Sequence, residues 1–334
     1  MSAFVRGATL SNYLEVASQL GLDANAMLRD EGIDRRALTD PDLRIPAQSV
    51  VALLERSAEA SACPTFGLRM AESRRLSDFG AVSLLIAHQS TMRDALLSIV
   101  RFRQLVNEAL VIHVEEHPDV VVVREELLVP GQSQMRQAYE LAIGVLYRMF
   151  RAQLGARWRA LSVNFVHGPP PDLTVHRRVF GPIAEFGADF NGLTCSRTDL
   201  DAPNPSADPA LARFAESFVR TLPNAERRTL SQDVQKAIHL LLPVGGAPIG
   251  QVAAALGLNE RTLQRRLAAE GAEFSGLLNE VRRDLVTRYV EGGQMQMSRV
   301  SGLVGYSRQS SFNRWFAEEF GMSPTAWRRS LDSK

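Results

Sequence analysis

The chain has 334 residues, with 38 Lys and Arg against 37 Asp and Glu, 45% apolar residues and 22% charged ones. That length exceeds what a single core usually serves, so two domains are expected, and the composition excludes a disordered or fibrous chain. A formal net charge of +1 speaks against a protein that packages nucleic acid by charge alone.

The charge is unevenly spread. From Gly245 onward there are 12 basic and 9 acidic residues, which leaves 26 and 28 before it, so the tail is positive and the remainder slightly negative. Nearly all the cations are Arg, the only lysines being Lys236 and Lys334. Two cysteines, Cys63 and Cys195, stand far apart with no companion at metal-ligand spacing, which points to a reducing compartment. Residues 1–23 lack a charged start followed by an apolar run, and no stretch approaches the roughly 20 apolar residues of a membrane span. The expected location is the cytoplasm.

In chain order, Leu10, Leu14, Ala17 and Leu20 mark a helix stopped at Gly21, and a second short helix runs to Arg29. Ile45-Pro46-Ala47 leads into an amphipathic helix carrying Val50, Val51, Leu53, Leu54 and Ala58, with Pro46 near its first turn. A third helix, Met92 to Val106, has Thr91 placed as its cap. The first hundred residues therefore read as mostly helical.

After Ala109 the period changes. Leu110–Glu116 and Val120–Leu128 are rich in β-branched residues and flank His117-Pro118-Asp119, so they read as a hairpin. Leu141–Leu154 is helical, Ala160–Val166 is a strand, and Phe180–Phe190 and Asn191–Ser196 are short strands or turns. This middle region is α+β without regular βαβ alternation. Helices resume at Ala210–Thr221 and Leu230–Leu241. The boundary is placed between Pro223 and Thr229, because the Leu230 helix reads as the first element of the last domain.

An internal repeat carries the functional reading. Ile249 to Asn259 and Met297 to Ser307 match in their apolar, small and capping positions at an offset of 48 residues, and a helix rich in Arg follows each. Both copies have the parts of a helix-turn-helix: a first helix with a small residue at the crossing (Ala253, Ser301), a turn Gly (Gly257, Gly305) and a capping Asn259 or Ser307. Leu263 and Leu267 in one copy, and Phe312 and Phe316 in the other, are the expected buried positions. The outer faces then read Arg261, Gln264 and Arg265, and Arg308, Gln309, Ser310, Asn313 and Arg314. Arg can pair two hydrogen bonds with guanine, and Gln or Asn with adenine, so these are the residue types for direct base readout. Arg282, Arg328 and Arg329 read as phosphate contacts or solvated charges. Phe274, Leu277, Leu278, Val281, Leu285 and Tyr289 form the apolar stripe of one long helix between the copies, about 26 Å long at 1.5 Å per residue. That length suits two recognition helices set in successive major grooves.

At these residues the chain resembles the AraC/XylS family of bacterial transcription regulators. Residues 229–331 resemble its DNA-binding domain, through the tandem repeat (helix-turn-helix segments at 249–271 and 297–320, linker helix at 274–290), Arg261-Thr262-Leu263-Gln264-Arg265-Arg266-Leu267, and the closing Phe320-Gly321-Met322-Ser323-Pro324. Residues 20–210, with Phe66-Gly67-Leu68-Arg69 and Leu76-Ser77-Asp78-Phe79-Gly80, resemble the arabinose-binding-like regulatory domain. Ser301 and Val304 stand where the family more often has Ala and Leu. The resemblance implies an α+β regulatory domain over 1–225 that senses an effector and dimerises, followed by an all-α domain with two helix-turn-helix motifs joined by a long linker helix. It also implies a non-enzyme without cofactor or metal. Its expected partners are double-stranded promoter DNA, RNA polymerase, a small-molecule effector and a second copy of the chain, and no membrane. Tyr13, Arg69, Arg101 and Arg103 are candidate contacts for an effector carboxylate, with a solvated Arg as the competing reading for each arginine, and nothing in the sequence singles out the polar anchors.

Two other readings compete with this one. His113-Val114-Glu115-Glu116-His117 has the His-x-x-Glu-His spacing of a metallohydrolase, with His113, Glu116 and His117 as its working residues. That site needs a helix, whereas the β-branched flanks and Pro118 predict a strand entering a turn. The remaining histidines, His88, His167, His176 and His239, are scattered and read as structural. A non-specific DNA-binding protein is the other alternative, and the weak net charge opposes it.

Overall fold

The computed structural model describes residues 3–223 except 130, 131 and 133, residues 230–291, and residues 295–332. The chain divides into two compact units, Met1–Glu226 and Arg227–Lys334. Most of the expected boundary segment, residues 224–229, lies outside the described residues.

The first unit begins with β1 (Phe4–Arg6), α1 (Tyr13–Gln19), α2 (Ala24–Asp30), β2 (Arg44–Pro46) and α3 (Ala47–Ala60), in which β1 and β2 pair antiparallel. Then come α4 (Phe66–Ala71), α5 (Val82–His88) and α6 (Met92–Arg101). The two three-residue strands are too short to register as a change of period in the sequence. Helix α3 starts after Pro46 as expected, and α6 is capped by Thr91, whose side chain accepts from the Asp94 amide. Helix α6 stops at Arg101, and a separate 3-10 turn covers Arg103–Leu105, so the expected run to Val106 is two pieces.

A five-stranded sheet follows, built from β3 (Leu110–Glu116), β4 (Val120–Leu127), α7 (Arg136–Leu154), β5 (Ser162–Phe165), α8 (Thr174–Phe180), β6 (Ala184–Phe186) and β7 (Gly192–Ser196). Its spatial order is β3-β4-β7-β5-β6. The hairpin pairs Leu110 with Leu127 and Glu116 with Val121. All pairings are antiparallel except β5 with β6, which run parallel through α8, so the region holds a single βαβ unit and no regular βαβ alternation, as expected. The short α9 (Arg197–Leu200) and then α10 (Pro209–Thr221), capped by Asp208 with Pro209 in its first turn, close the unit.

Helix α7 organises this unit. It packs on α3, α4 and the sheet, with Leu141, Ile143, Leu146, Tyr147, Met149 and Phe150 buried. Helices α4 and α7 pack closely at two glycines: a Cβ on Gly67 would sit 2.0 Å from the Gln137 carbonyl oxygen of the facing backbone, and one on Gly144 would sit 2.6 Å from Ala71 Cβ. The inward row of β4 is Val121, Val123, Glu125 and Leu127, all buried. His167 and His176 are not scattered. Both reach Glu140 Oε1, at 3.6 and 3.2 Å, where Arg136 also approaches at 3.4 Å, in a pocket of Phe165, Phe180 and Phe186.

The second unit is helical throughout its described residues: α11 (Leu230–Leu241), α12 (Ile249–Ala255), α13 (Glu260–Ala269), α14 (Phe274–Glu291), α15 (Met297–Leu303), α16 (Gln309–Phe320) and α17 (Pro324–Asp332). Helix α14 packs on α11, α15 and α17, burying Leu277, Val281, Leu285, Val286, Tyr289 and Val290. An α+β unit followed by an all-α unit is the fold class expected from the sequence.

Candidate nucleic-acid interface

In the first helix-turn-helix, α12 ends in a turn whose Gly257 has φ +66°. The Leu258 amide reaches back to Ala253 O at 2.8 Å, the bond that closes a helix end through a left-handed residue. Asn259 then caps α13, its side chain accepting from the Thr262 amide at 2.8 Å. Leu263 and Leu267 are buried, which turns Arg261, Gln264 and Arg265 outward, and all three are exposed.

The second copy repeats the turn. Gly305 has φ +79°, and the Tyr306 amide reaches Ser301 O at 3.0 Å, both 48 residues on from their counterparts. It then departs from the expectation. The residue before α16 is Arg308 and not Ser307, and no side chain caps the helix. One extra residue in the turn moves the repeat from an offset of 48 to 49. The buried pairs confirm it, since Leu263 and Phe312, and Leu267 and Phe316, are each 49 apart. In that register Gln264 corresponds to Asn313, Arg265 to Arg314 and Arg261 to Ser310. Arg308, Gln309, Ser310, Asn313 and Arg314 are all exposed, and Gln309 Nε2 donates to Asn313 Oδ1 at 3.1 Å.

Different contacts fix the two copies. Tyr306, Phe312, Trp315, Phe316, Phe320 and Trp327 form a continuous ring cluster, tightest where Phe316 stacks on Phe320 at 4.4 Å. Arg282 of α14 lays its guanidinium 4.4 Å over the Tyr306 ring and donates to Val304 O at 3.1 Å, and burial draws its pKa below the usual value. Arg328 donates to Met295 O. Arg282 and Arg328 are therefore braces holding backbone carbonyls, contrary to their expected role as phosphate contacts or solvated charges. His239 ties α11 to α14. Arg288 has no acceptor to offer, so His239 Nε2 accepts from it at 3.2 Å, and Nδ1–H donates to Gln235 O at 3.1 Å. The ring is neutral, with burial as the first cause and Arg288 as the second, and its pKa is pushed down to about 3. Among the described residues, Arg261, Arg265, Arg308 and Arg314 make no side-chain hydrogen bond or ion pair. The cations that hold the unit together are thus distinct from those left facing solvent.

Comparison with known proteins decides the family. Residues 21–204 match the arabinose-binding domain of AraC transcription regulators, N-terminal, and residues 252–330 match a helix-turn-helix domain. The HTH-type transcriptional regulator VirS of Mycobacterium tuberculosis is 30% identical over 330 residues, covering 98% of this chain and 97% of that one. The chain belongs to the AraC-type transcription regulators. The ornithine utilization regulator of Pseudomonas aeruginosa is 21% identical, covering 95% and 94% of the two chains. The crystal structure of the transcriptional regulator CdpR from Pseudomonas aeruginosa is similar at a TM-score of 0.45 and 23% identity, over 91% of this chain and 96% of that one.

Elsewhere in this regulator, His113 and Glu116 lie on strand β3, where residues three apart face opposite sides. Glu116 is engaged by Arg93 and, at 3.2 Å, by Arg197. No group of three His, Cys, Asp or Glu among the described residues is placed to hold a metal. The metallohydrolase reading fails on that geometry. Of the candidate effector contacts, Tyr13 is fully buried and bonded to Ser57 Oγ at 2.9 Å, and Arg101 pairs with Glu216 at 2.6 Å. Arg69 of α4 is half-buried, and Arg103 lines a cavity. No described helix is long and apolar enough to cross a membrane.

Two residues the sequence reading missed bear on the regulator's architecture. Glu270, just past α13, accepts from the Leu230 amide at 2.7 Å and the Ser231 amide at 2.8 Å, capping α11 from 40 residues away; no local pattern signals such a bond. Glu125 sits in the buried row of β4, and its signal was available: it falls on the same alternation as Val121, Val123 and Leu127.

Proposed function

We propose that this regulator is a one-component switch, in which residues 227–334 read two successive major-groove segments of a promoter and residues 1–226 sense a small-molecule effector. The observation that carries the reading is the pair of solvent-facing surfaces in matched register, Gln264 and Arg265 on α13 and Asn313 and Arg314 on α16. Each pair joins a group suited to adenine with one suited to guanine. Arg261, Arg308, Gln309 and Ser310 extend these faces at the helix N-termini, where recognition helices usually meet base edges. Helix α14, with 18 residues, is about 27 Å long. That suits two helices set about one duplex turn apart.

Control then follows from population shift: an effector that favours one arrangement of the protein changes its DNA affinity or its contact with RNA polymerase, and pairing of two copies through the first unit doubles the site. The reading places the regulator in the cytoplasm, with no cofactor and no catalytic role. It is tested by titrating Arg265→Ala and Gln309→Ala on a selected site and on random DNA. A loss confined to the selected site supports direct readout, and equal losses on both would contradict it.

A further inference from the structure

The first unit holds a partly open cavity of about 130 Å³, walled by α3, α6, α7 and the inner face of β3 and β4. An apolar protein cavity of roughly 150 Å³ accepts a guest the size of benzene, so this one suits a molecule of a few carbon atoms. The charged residues on its wall are Arg6, Arg74, Asp78, Arg103 and Glu125. Arg6 is bound by Asp42 at 2.9 Å and the Asp78 carbonyl at 2.8 Å, and Arg74 by the carbonyls of Ala8 and Thr9.

Glu125 is different. It is 2% exposed, its Oε2 is buried without a hydrogen bond, and its side chain makes no ion pair among the described residues. Burial alone pushes its pKa up to about 8. Among the described residues no arginine or lysine forms an ion pair with it, and Arg103 on the same wall donates to the Val100 carbonyl instead. A carboxyl left unpaired on an apolar wall costs the fold stability. That cost is relieved if a guest supplies the missing donor.

We propose that Glu125 anchors the effector site and that the effector is a small, mostly apolar amine whose ammonium group pairs with this carboxylate, an inference that rests on the effector-sensing reading above. A carboxylate guest would meet a like charge once Glu125 ionised, and an alcohol would gain a single neutral hydrogen bond. An ammonium gains a charge-assisted pair in a low-dielectric site. At neutral pH, binding expels the Glu125 proton to solvent, and the guest keeps its own. Affinity for an amine therefore rises as pH approaches 8, by up to about tenfold per pH unit. The apolar walls set the size of the guest, and the carboxyl sets its polarity.

The experiment uses the full chain and three size-matched probes, isobutylamine, isobutanol and isobutyrate, followed by thermal shift from pH 6.5 to 8 in wild type, Glu125→Gln and Glu125→Leu. The expected result is that isobutylamine raises the melting temperature most, increasingly so toward pH 8, and that Glu125→Gln abolishes both the preference and the pH dependence. Glu125→Leu should melt about 2–4 °C above wild type without probe and show no amine preference, because removing an unpaired buried carboxyl stabilises the fold while removing the anchor. Equal shifts from amine and alcohol, an amine preference retained in Glu125→Gln, or a lower melting temperature for both variants would overturn the proposal. The same probes, with a panel of amino acids and fatty acids, are then tested for their effect on operator affinity. A response to other compounds that is indifferent to Glu125 defeats this anchor and leaves effector control standing; a response to none defeats effector control itself.

Discussion

The first helix-turn-helix is held by aliphatic side chains and a side-chain cap, with Leu263 and Leu267 beneath the helix and Asn259 at its start. The second is held by aromatic rings and a guanidinium, with Phe312, Trp315 and Phe316 beneath, Arg282 over Tyr306, and no cap. Yet the two present the same kind of surface in the same register. The lesson is that the outward face of a recognition helix and the means of holding it are separable. A duplicated module keeps the positions that meet solvent while its packing drifts, provided the helix is fixed at the same angle by some route. The extra residue at Ser307 shows the separation directly: the turn lengthened, and the buried and exposed faces moved together by one position.

This comparison can be broken at equivalent positions. The largest difference is expected at the turn glycines. Both have positive φ, but a Cβ on Gly305 would also sit 2.7 Å from Leu242 Cδ2, whereas nothing lies within 4 Å at Gly257. Gly257→Ala should cost about 1–2 kcal/mol from backbone strain alone. Gly305→Ala should cost about 3 kcal/mol once overpacking is added, as read by urea denaturation. Next are the matched cations: Arg265→Ala and Arg314→Ala should each weaken binding to the selected site by about 1–3 kcal/mol, with smaller losses on random DNA. Unequal effects, with one near zero, would show that only one module reads bases. Arg282→Ala, which loses the stack on Tyr306 and the bond to Val304 O, should destabilise the second module by about 1–2 kcal/mol, an effect visible as faster amide exchange in α15 and α16 than in α12 and α13. The smallest pair concerns the caps. Asn259→Ala should cost about 1 kcal/mol, whereas Ser307→Ala should stay within about 0.5 kcal/mol; a full cap loss at Ser307 would restore the 48-residue register.

The second unit is legible in the sequence because its signals are local. Gly257 and Gly305, the apolar spacing of Leu263 and Leu267, and the stripe on α14 each lie within a few residues of what they specify. The register slip is legible too, since Phe312 and Phe316 sit 49 residues from Leu263 and Leu267, but the similar capping chemistry of Asn259 and Ser307 masks it. The first unit is harder because its determinants are remote. Strands β1 and β2 are three residues each and pair across almost forty residues, and the parallel β5 and β6 depend on a helix that no periodic run announces. The roles of Arg282 and Arg328 are set by carbonyls 22 and 33 residues away. Sequence marks them only as cations on helices. Glu125 is the instructive case: its place in an alternating strand shows that it points inward, but only the enclosing helices show that it faces a cavity without a partner.

The most direct test of two-module reading is hydroxyl-radical footprinting of the full chain on a selected operator. Two protected patches centred about 10 base pairs apart are expected, with Arg265→Ala weakening one patch and Arg314→Ala the other. A single patch, or both patches fading together with either substitution, would contradict the account.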